Sequence, residues 1–517
     1  MTDLSNADQL DERTKKKIFW TCFIALVATS FFFGLRSVIV GDLRETFNLS
    51  GTQIGTILGV GLWPFAFSII VFSLIIDKIG YKTAAYFAVI SHAVAVIGTL
   101  FAIKNGSTSL LYWSTFLVAI ANGTVEAFIN PVVATIFNKE KSKWLNILHA
   151  GWPAGLALGG AAGLLLNSAG IGLFVKMAVC LVPVVFYALL IVGCNFPVQE
   201  RVAAGVTYRD MLREVGAIGF FMMAWLVVIG IGQVMNQSVA PTISLGVAAI
   251  VAVLAFIYTR SLGNWMFVLI LATMPFLATT ELGTDAWMAE LLSADLPKYA
   301  GWVFVMVSVI MTILRFYAGP IVHKFSPIGL LVVSGALAIV GLLFLGVAPA
   351  GLMVVAAIVY AFGKTFLWST TLGVVSEQFP KGGALTLNGV SAVGVLGMGI
   401  LGAPLMGLYL DKGIDQDLQD NEAALYQIVD GGLRKTMFGE SPSLNMDAVE
   451  ALSSEGASKL GAIVNSNKKQ SFIRQATLPG LLLVCYLILF FYFKSRGGYK
   501  PIDLHGQEKA EEAEPGF

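Results

Sequence analysis

Apolar runs of about 20 residues recur along nearly the whole 517-residue chain, each long enough to cross the hydrocarbon core of a bilayer as a helix. A segment immersed in lipid must satisfy its backbone N–H and C=O groups internally, so repeated runs of this length read as a bundle of spanning helices. Charged residues make up 13% of the chain and hydrophobic ones 56%, against about 25% charged in a soluble domain. The sequence is that of an all-α polytopic membrane protein. Its net charge of +1 makes no case for a nucleic-acid partner.

Spans fall at about 18–41, 52–76, 83–103, 109–137, 144–167 and 171–195. Two more follow the polar stretch QERVAAGVTYRDMLREVG, at about 217–236 and 239–259. Six others lie at about 264–291, 300–322, 328–347, 351–377, 384–410 and 472–494, fourteen in all. With the N-terminus inside, every cytoplasmic connection carries Lys or Arg: DKIGYK, NKEKSKW, the polar stretch, TRSLGN, HKFSP, EQFPKGG and KSRGGYK. The outward turns LNSAGIG and GVAPAG carry none, as the positive-inside rule requires. Both termini are then expected in the cytoplasm, with the protein in a plasma membrane such as a bacterial inner membrane. Cys22, Cys180, Cys194 and Cys485 all fall within apolar runs; their spacing fits neither a disulfide framework nor a metal site.

Two anchors indicate an internal repeat. SLIIDKIGYK pairs with GPIVHKFSPI, aligning Asp77 on His323 at an offset of 246 residues. WLNILHAGW pairs with LTLNGVSAVG, aligning Asn146 on Asn388 at an offset of 242. Agreement within four residues points to a duplicated six-helix half. The expected organisation is a cytoplasmic tail 1–17, an N-terminal six-helix half 18–196 and a linker 197–263 holding two extra spans. A C-terminal six-helix half 264–494 follows, with a large extracytoplasmic loop 411–471, and then a second cytoplasmic tail 495–517.

A six-plus-six repeat with a short charged turn after its second helix resembles the major facilitator superfamily. In that family's loop motif, G-x-x-x-D-[RK]-x-G-[RK]-[RK], Asp77, Lys78, Gly80 and Lys82 match, while Ser73 and Tyr81 depart. NGTVEAFINPVVATIF followed by WLNILHAGWPAGLALGG, together with TTELGTDAWMAELL, is similar to the fucose and hexose permease branch. The two extra spans depart from that branch, as does the first helix, which offers Arg36 and Ser37 in place of a carboxylate. The resemblance implies the major facilitator fold, two pseudo-symmetric halves and a cavity lined by helices one and four of each half.

On those helices lie Arg36 and Glu126 in the first half, and Glu281, Asp285 and Lys364 in the second. A carboxylate at mid-membrane costs about 2.5–3.5 kcal/mol even on lenient insertion scales. Glu126 is therefore expected to face a wet cavity with Arg36 within reach. It either forms a structural bridge or takes up a proton that Arg36 switches on and off. His149 is expected to relay protons, to bond to substrate, or to bond to a neighbouring helix. Asn122, Asn130 and Trp368 suit sugar hydroxyls and ring faces, beside Glu281, Asp285 and Lys364. Asp77, Lys78, Gly80 and Lys82 form the gating loop, with Arg315 as a gate or anchor near a cytoplasmic helix end. His92 reads as packing and Lys176 as a residue reaching the outer interface.

No Walker A, HExxH, paired CxxC or GxSxG motif is present, which disfavours an ATP-driven pump or a membrane hydrolase, and no cofactor or metal is expected. The expected function is proton-coupled symport of a sugar or related polyhydroxylated metabolite by alternating access, by a monomer in the lipid bilayer. The alternatives are an organic-anion carrier or exchanger, for a carboxylate or sugar phosphate, and a non-transporting substrate sensor.

Overall fold

Helices take up almost every apolar run. The computed structural model describes residues 7, 10–49, 51–234, 239, 241–285, 288, 292, 295–436, 439–502 and 504. Among them, eleven helices are long and apolar enough to cross a membrane, twelve if the bent pair Ala300–Phe316 and Ala318–Phe325 is one span. The other two expected spans are each two shorter helices.

The first half runs through α1 (Glu12–Thr46), α2 (Gly51–Gly59), α3 (Trp63–Ile79), α4 (Tyr81–Asn105) and α5 (Thr108–Ile136). It continues through α6 (Lys141–Leu148), α7 (Gly151–Ser168), α8 (Leu173–Ala178) and α9 (Leu181–Ile191). Side-chain caps start two of these helices: Asp11 accepts from Thr14 N at 3.1 Å and Ser107 from Leu110 N at 3.3 Å. Each satisfies an orphan N–H of a first turn. The expected span 52–76 is broken between α2 and α3, and 144–167 is broken at His149 and Ala150.

After α10 (Glu200–Ala203) come α11 (Tyr208–Val234) and α12 (Pro241–Thr259), over the two spans expected between the halves. The second half comprises α13 (Trp265–Ala278), a π-helical turn Thr279–Gly283, α14 (Ala300–Phe316), α15 (Ala318–Phe325) and α16 (Pro327–Val347). It goes on through α17 (Met353–Lys364), α18 (Leu367–Gln378), α19 (Gly383–Gly397), a second π-helical turn Met398–Gly402 and α20 (Ala403–Asn421). Segment 411–471 is folded rather than an irregular loop. It continues α20 and adds α21 (Ala423–Val429), strands β1 (Asp430–Thr436) and β2 (Gly439–Leu444), α22 (Met446–Glu450) and most of α23 (Ser454–Gln475). Ile414, Leu418, Leu425, Val429 and Leu460 give it a small core of its own. The last span is α24 (Thr477–Ser495).

Glycines set how closely these helices approach. A Cβ on Gly155 would lie 2.4 Å from the Val27 carbonyl, and one on Gly159 2.3 Å from that of Phe31. So α7 crosses α1 with backbones in contact, and a methyl at either position would force them apart. The two π-helical turns meet in the same way: a Cβ on Gly402 would fall 1.9 Å from Thr279 Oγ1. Turns of this kind interrupt regular helices at functional sites more often than elsewhere. Helices α11 and α12 pack against α19 through α11. Met223 of α11 fills the space over Gly389 of α19, while only 17% of the apolar window of α12 is buried, the rest facing outward.

Candidate functional site

Breaks in α6–α7 and α17–α18 and the bend after α14 bring polar groups to mid-bundle from both halves. There, Phe65, Glu126, Trp152, Glu281, Arg315 and Trp368 help line a cavity of about 20 Å³, room for about one water. Arg315 Nη2 donates to Glu281 Oε1 at 2.6 Å, its Nε to the Thr365 carbonyl at 2.7 Å and its Nη1 to the His149 carbonyl at 2.8 Å. The Trp368 N–H donates to the other Glu281 oxygen at 3.1 Å. Lys364 is ion-paired with Asp285 just beyond. A buried pair of this kind is tolerable because each charge is compensated and further hydrogen-bonded.

Glu126 is arranged differently. It is 3% exposed, and no described ion pair includes it. Its Oε2 accepts from Asn130 Nδ2 at 2.9 Å, a neutral donor one helical turn along α5. The Asn130 oxygen accepts from His149 Nε2 at 2.9 Å. His149, whose own carbonyl receives Arg315, thus stands between the lone carboxylate and the paired one. Two further groups complete the wall. Trp152 and Ser391 line the cavity, and their buried Nε1 and Oγ find no partner among the described residues. Groups of that kind are uncommon in a folded protein and mark places where a ligand or water bonds.

The expected Arg36–Glu126 pair is not formed. Arg36 lies 5.1 Å from the Phe33 ring centroid, with its guanidinium against Gly61 in the break between α2 and α3. It lines a separate cavity of about 50 Å³ within the first half, shared with Thr115 and Asn122. The physical reason is azimuth: each residue turns about 100° around a helix, and Arg36 turns to the α2–α3 break while Glu126 turns to the central cavity. Asn122 belongs with that second cavity and accepts from His92 Nε2 at 2.7 Å. His92 also meets Tyr187 Oη at 2.6 Å, so it is an interior hydrogen-bonding residue. Lys176 is buried and paired with Asp42.

Arg315 is the largest departure from the sequence reading. Counted from the end of an expected span at 322 it is a terminal residue, but the chain bends by 66° between α14 and α15. The bend leaves Arg315 fully buried at the cavity. Its depth of seven residues inside the span was the available signal. Asn388, noted only as a repeat anchor, donates to the Ala127 carbonyl across the halves at 2.9 Å.

The gating-loop residues sit at the end of the bundle where α1 begins and α24 finishes. Gly80 adopts φ +80° in the turn between α3 and α4, a backbone region open to glycine at little cost. Asp77 is ion-paired with Arg201 of α10 and accepts from Gln199 at 2.6 Å. Gln199 in turn meets the Ala384 N–H at the start of α19, so the carboxylate reaches the second half through a side chain that sequence reading had not singled out. Lys78 lies over the Tyr208 ring at 5.5 Å, and Lys82 is exposed. At this same end Glu377 accepts from Ser142 N at 2.8 Å and from Tyr499 Oη at 2.7 Å.

Comparison with known proteins places this architecture. Residues 21–403 match the family model described as Major Facilitator Superfamily. A TsgA homolog from Buchnera aphidicola subsp. Schizaphis graminum (strain Sg) is 25% identical over 127 residues, 24% of this chain and 32% of that protein. The match therefore spans about a third of that relative's length. The E. coli fucose:proton symporter FucP has a TM-score of 0.58 at 13% identity, over 92% of this chain and 98% of that one. The human organic anion transporter MFSD10 (TETRAN) has a TM-score of 0.59 at 10% identity, over 91% and 99%. At these identities the likeness to solved structures is one of fold.

Proposed function

The chain belongs to the Major Facilitator Superfamily, a family of membrane transporters, and on that premise we propose that it is a proton-coupled symporter of a neutral polyhydroxylated metabolite such as a sugar. The observation that carries this reading is the charge balance of the central cavity. Arg315 with Glu281 and Lys364 with Asp285 are matched pairs, which leaves Glu126 as one uncompensated carboxylate. Burying a lone charge is costly, and a proton removes it. With Glu126 protonated the cavity is neutral overall, and a neutral substrate adds no unmatched charge.

What remains free for a substrate is also neutral: the Trp152 N–H and the Ser391 hydroxyl, beside the rings of Phe65, Trp152 and Trp368. Donors for hydroxyls and flat apolar faces for a ring are what a sugar needs. In this account the two six-helix halves rock about the cavity, the end where α1 begins is cytoplasmic, and Asp77 and its neighbours hold that end closed. Arg36 stands outside the proton site.

A second reading, an organic-anion carrier, is favoured by Arg36, which offers a cation to its own cavity beside Thr115 and Asn122. Uptake into proteoliposomes under an acid-outside pH gradient separates the two. We expect accumulation of a monosaccharide or polyol from a panel that also contains dicarboxylates and sugar phosphates. Accumulation of only the anions would overturn the symport reading.

A further inference from the structure

The two asparagines that anchor the internal repeat make equivalent contacts across the halves. Asn146 of α6 accepts from Ser369 Oγ at 2.6 Å and donates to Thr370 Oγ1 at 3.2 Å on α18. Asn388 of α19 donates to the Ala127 carbonyl of α5 at 2.9 Å. Ala127 and Ser369 stand 242 residues apart, the same offset as Asn146 and Asn388. These are one contact repeated through the pseudo-two-fold axis.

They differ in what lies behind them. The described bonds of Asn146 run to Ser142, Ser369 and Thr370, and no acid is among them. Asn388 Oδ1 faces Asn130 Nδ2 at 3.4 Å, and that same nitrogen donates to Glu126 Oε2 at 2.9 Å. Resting on the reading of Glu126 as proton acceptor, we propose that Asn130 and Asn388 are positioning residues through which protonation of Glu126 loosens the cytoplasmic contact between the halves.

The chemistry follows from what each group can donate. An ionised carboxylate only accepts, so Asn130 must turn its NH2 toward Glu126, and the two N–H bonds of one nitrogen are then shared among Glu126 Oε2, the Glu126 carbonyl at 3.2 Å and Asn388. His149 Nε2 fixes the amide in that sense by donating to its oxygen. A proton on Glu126 removes the charge that makes the bond strong, and a proton on Oε2 sets donor against donor. Asn130 then rests on the Glu126 carbonyl and His149, and its long contact to Asn388 at 3.4 Å is the one to be given up, leaving Asn388 its described bond to Ala127. The other titratable or charged groups facing Glu126 across the cavity are His149 from the α6–α7 break, Glu281 from the π-helical turn and Arg315 from α14. The α3 and α19 walls add Phe65, Ile69, Ser391 and Val395. Glu281 and Arg315 are already engaged with each other, which leaves Asn130 as the group that feels the change.

The test uses full-length protein in liposomes, in a Cys485→Ser background, with nitroxide labels at Lys139→Cys and Lys324→Cys, both exposed at the end where α1 begins. Distances are recorded from acid to alkaline pH. The carboxyl infrared band assigned to Glu126, by its loss in Glu126→Gln, is followed in parallel. We expect the closed population of the wild type to fall on acidification with the midpoint of that band. Asn130→Leu and Asn388→Leu are expected to keep a titrating band and lose the distance response. Asn146→Leu, removing a merely structural clamp, is expected to lower the closed population by a similar factor at every pH and to keep the midpoint of the response. If Asn388→Leu does not fold, Asn388→Ser carries the same expectation. Wild-type behaviour of the Asn130 and Asn388 variants, or wild-type distances that ignore a titrating Glu126, would overturn the proposal. A Glu126 band that never titrates would instead overturn the proton-acceptor reading on which it rests.

Discussion

Arg315 of the second half donates to the backbone carbonyl of His149 in the first, at 2.8 Å, at the point where the fifth span of the chain is broken. The same guanidinium holds Glu281, so one side chain both compensates a buried acid and ties the halves together. Arg315→Met leaves Glu281 buried without its cation, a loss of about 3–5 kcal/mol for a pair of this kind. Thermal unfolding in detergent should show a marked fall in Tm, largely recovered in the double variant Arg315→Met with Glu281→Gln. Arg315→Lys should recover only part, since an ammonium lacks the planar fork that serves three acceptors.

The segment after α24 folds back on the closed end. Tyr499 Oη donates to Glu377 Oε2, and Ile502 N to the Glu377 carbonyl, while Glu377 also accepts from Ser142 N of the opposite half. Removing one hydrogen bond to a carboxylate costs about 1.5–3 kcal/mol. Tyr499→Phe should therefore speed labelling of Ser376→Cys by a water-soluble maleimide by roughly tenfold or more, since about 1.4 kcal/mol is a factor of ten. An unchanged labelling rate would remove the tail from the closing contact.

Glu140 and His323 also join the halves at this end, at 3.3 Å. The hydrogen bond from Lys143 holds the Glu140 carboxyl below its ordinary value of 4.5, with His323 adding to the effect. A carboxyl lowered in the folded protein stabilises it above the unfolded value and loses that contribution as pH falls through the lower, folded one. Protonation of Glu140 is thus confined to pH below about 4.5. Glu140→Gln should leave any neutral-range pH response of transport unaltered; a displaced pH profile would show that the surface contact takes part in coupling.

Substrate affinity should depend on the two free donors. Trp152→Phe keeps a ring and removes an N–H, and Ser391→Ala removes a hydroxyl. Each should raise KM for the transported sugar by about fivefold, the worth of one net hydrogen bond of about 1 kcal/mol, with the proton stoichiometry unchanged. Equal KM values in uptake assays would place the substrate elsewhere.

Depth along a span was legible in the sequence and azimuth was not. Apolar runs and Lys/Arg placement gave the order of helices, and Asn146 and Asn388 were legible as repeat anchors, while their contacts across the halves were not. Glu126 was legible as a lone acid at mid-span, but its partner was not. Arg36 and Glu126 lie on cavity helices of the same half, yet Arg36 turns toward Gly61 and Glu126 toward Asn130 and His149. Arg315 was hidden by the bend after Phe316, which a straight-helix count cannot foresee. The β-hairpin of segment 411–471 was hidden as well, because DGGLRKT and GESPSL carry no alternating apolar pattern.

Glu126 as the carrier of the coupling proton is tested most directly by currents from proteoliposomes on a solid-supported membrane, recorded for wild type and Glu126→Gln after a jump in sugar concentration. Gln keeps hydrogen-bonding capacity at this position but cannot take up a proton. The wild type is predicted to give an inward positive current, one charge moving with each neutral sugar and enhanced by an inside-negative potential. Glu126→Gln is predicted to give none while still exchanging labelled for unlabelled sugar. Full sugar-driven current in Glu126→Gln, or wild-type currents elicited only by a dicarboxylate or a sugar phosphate, would contradict the account.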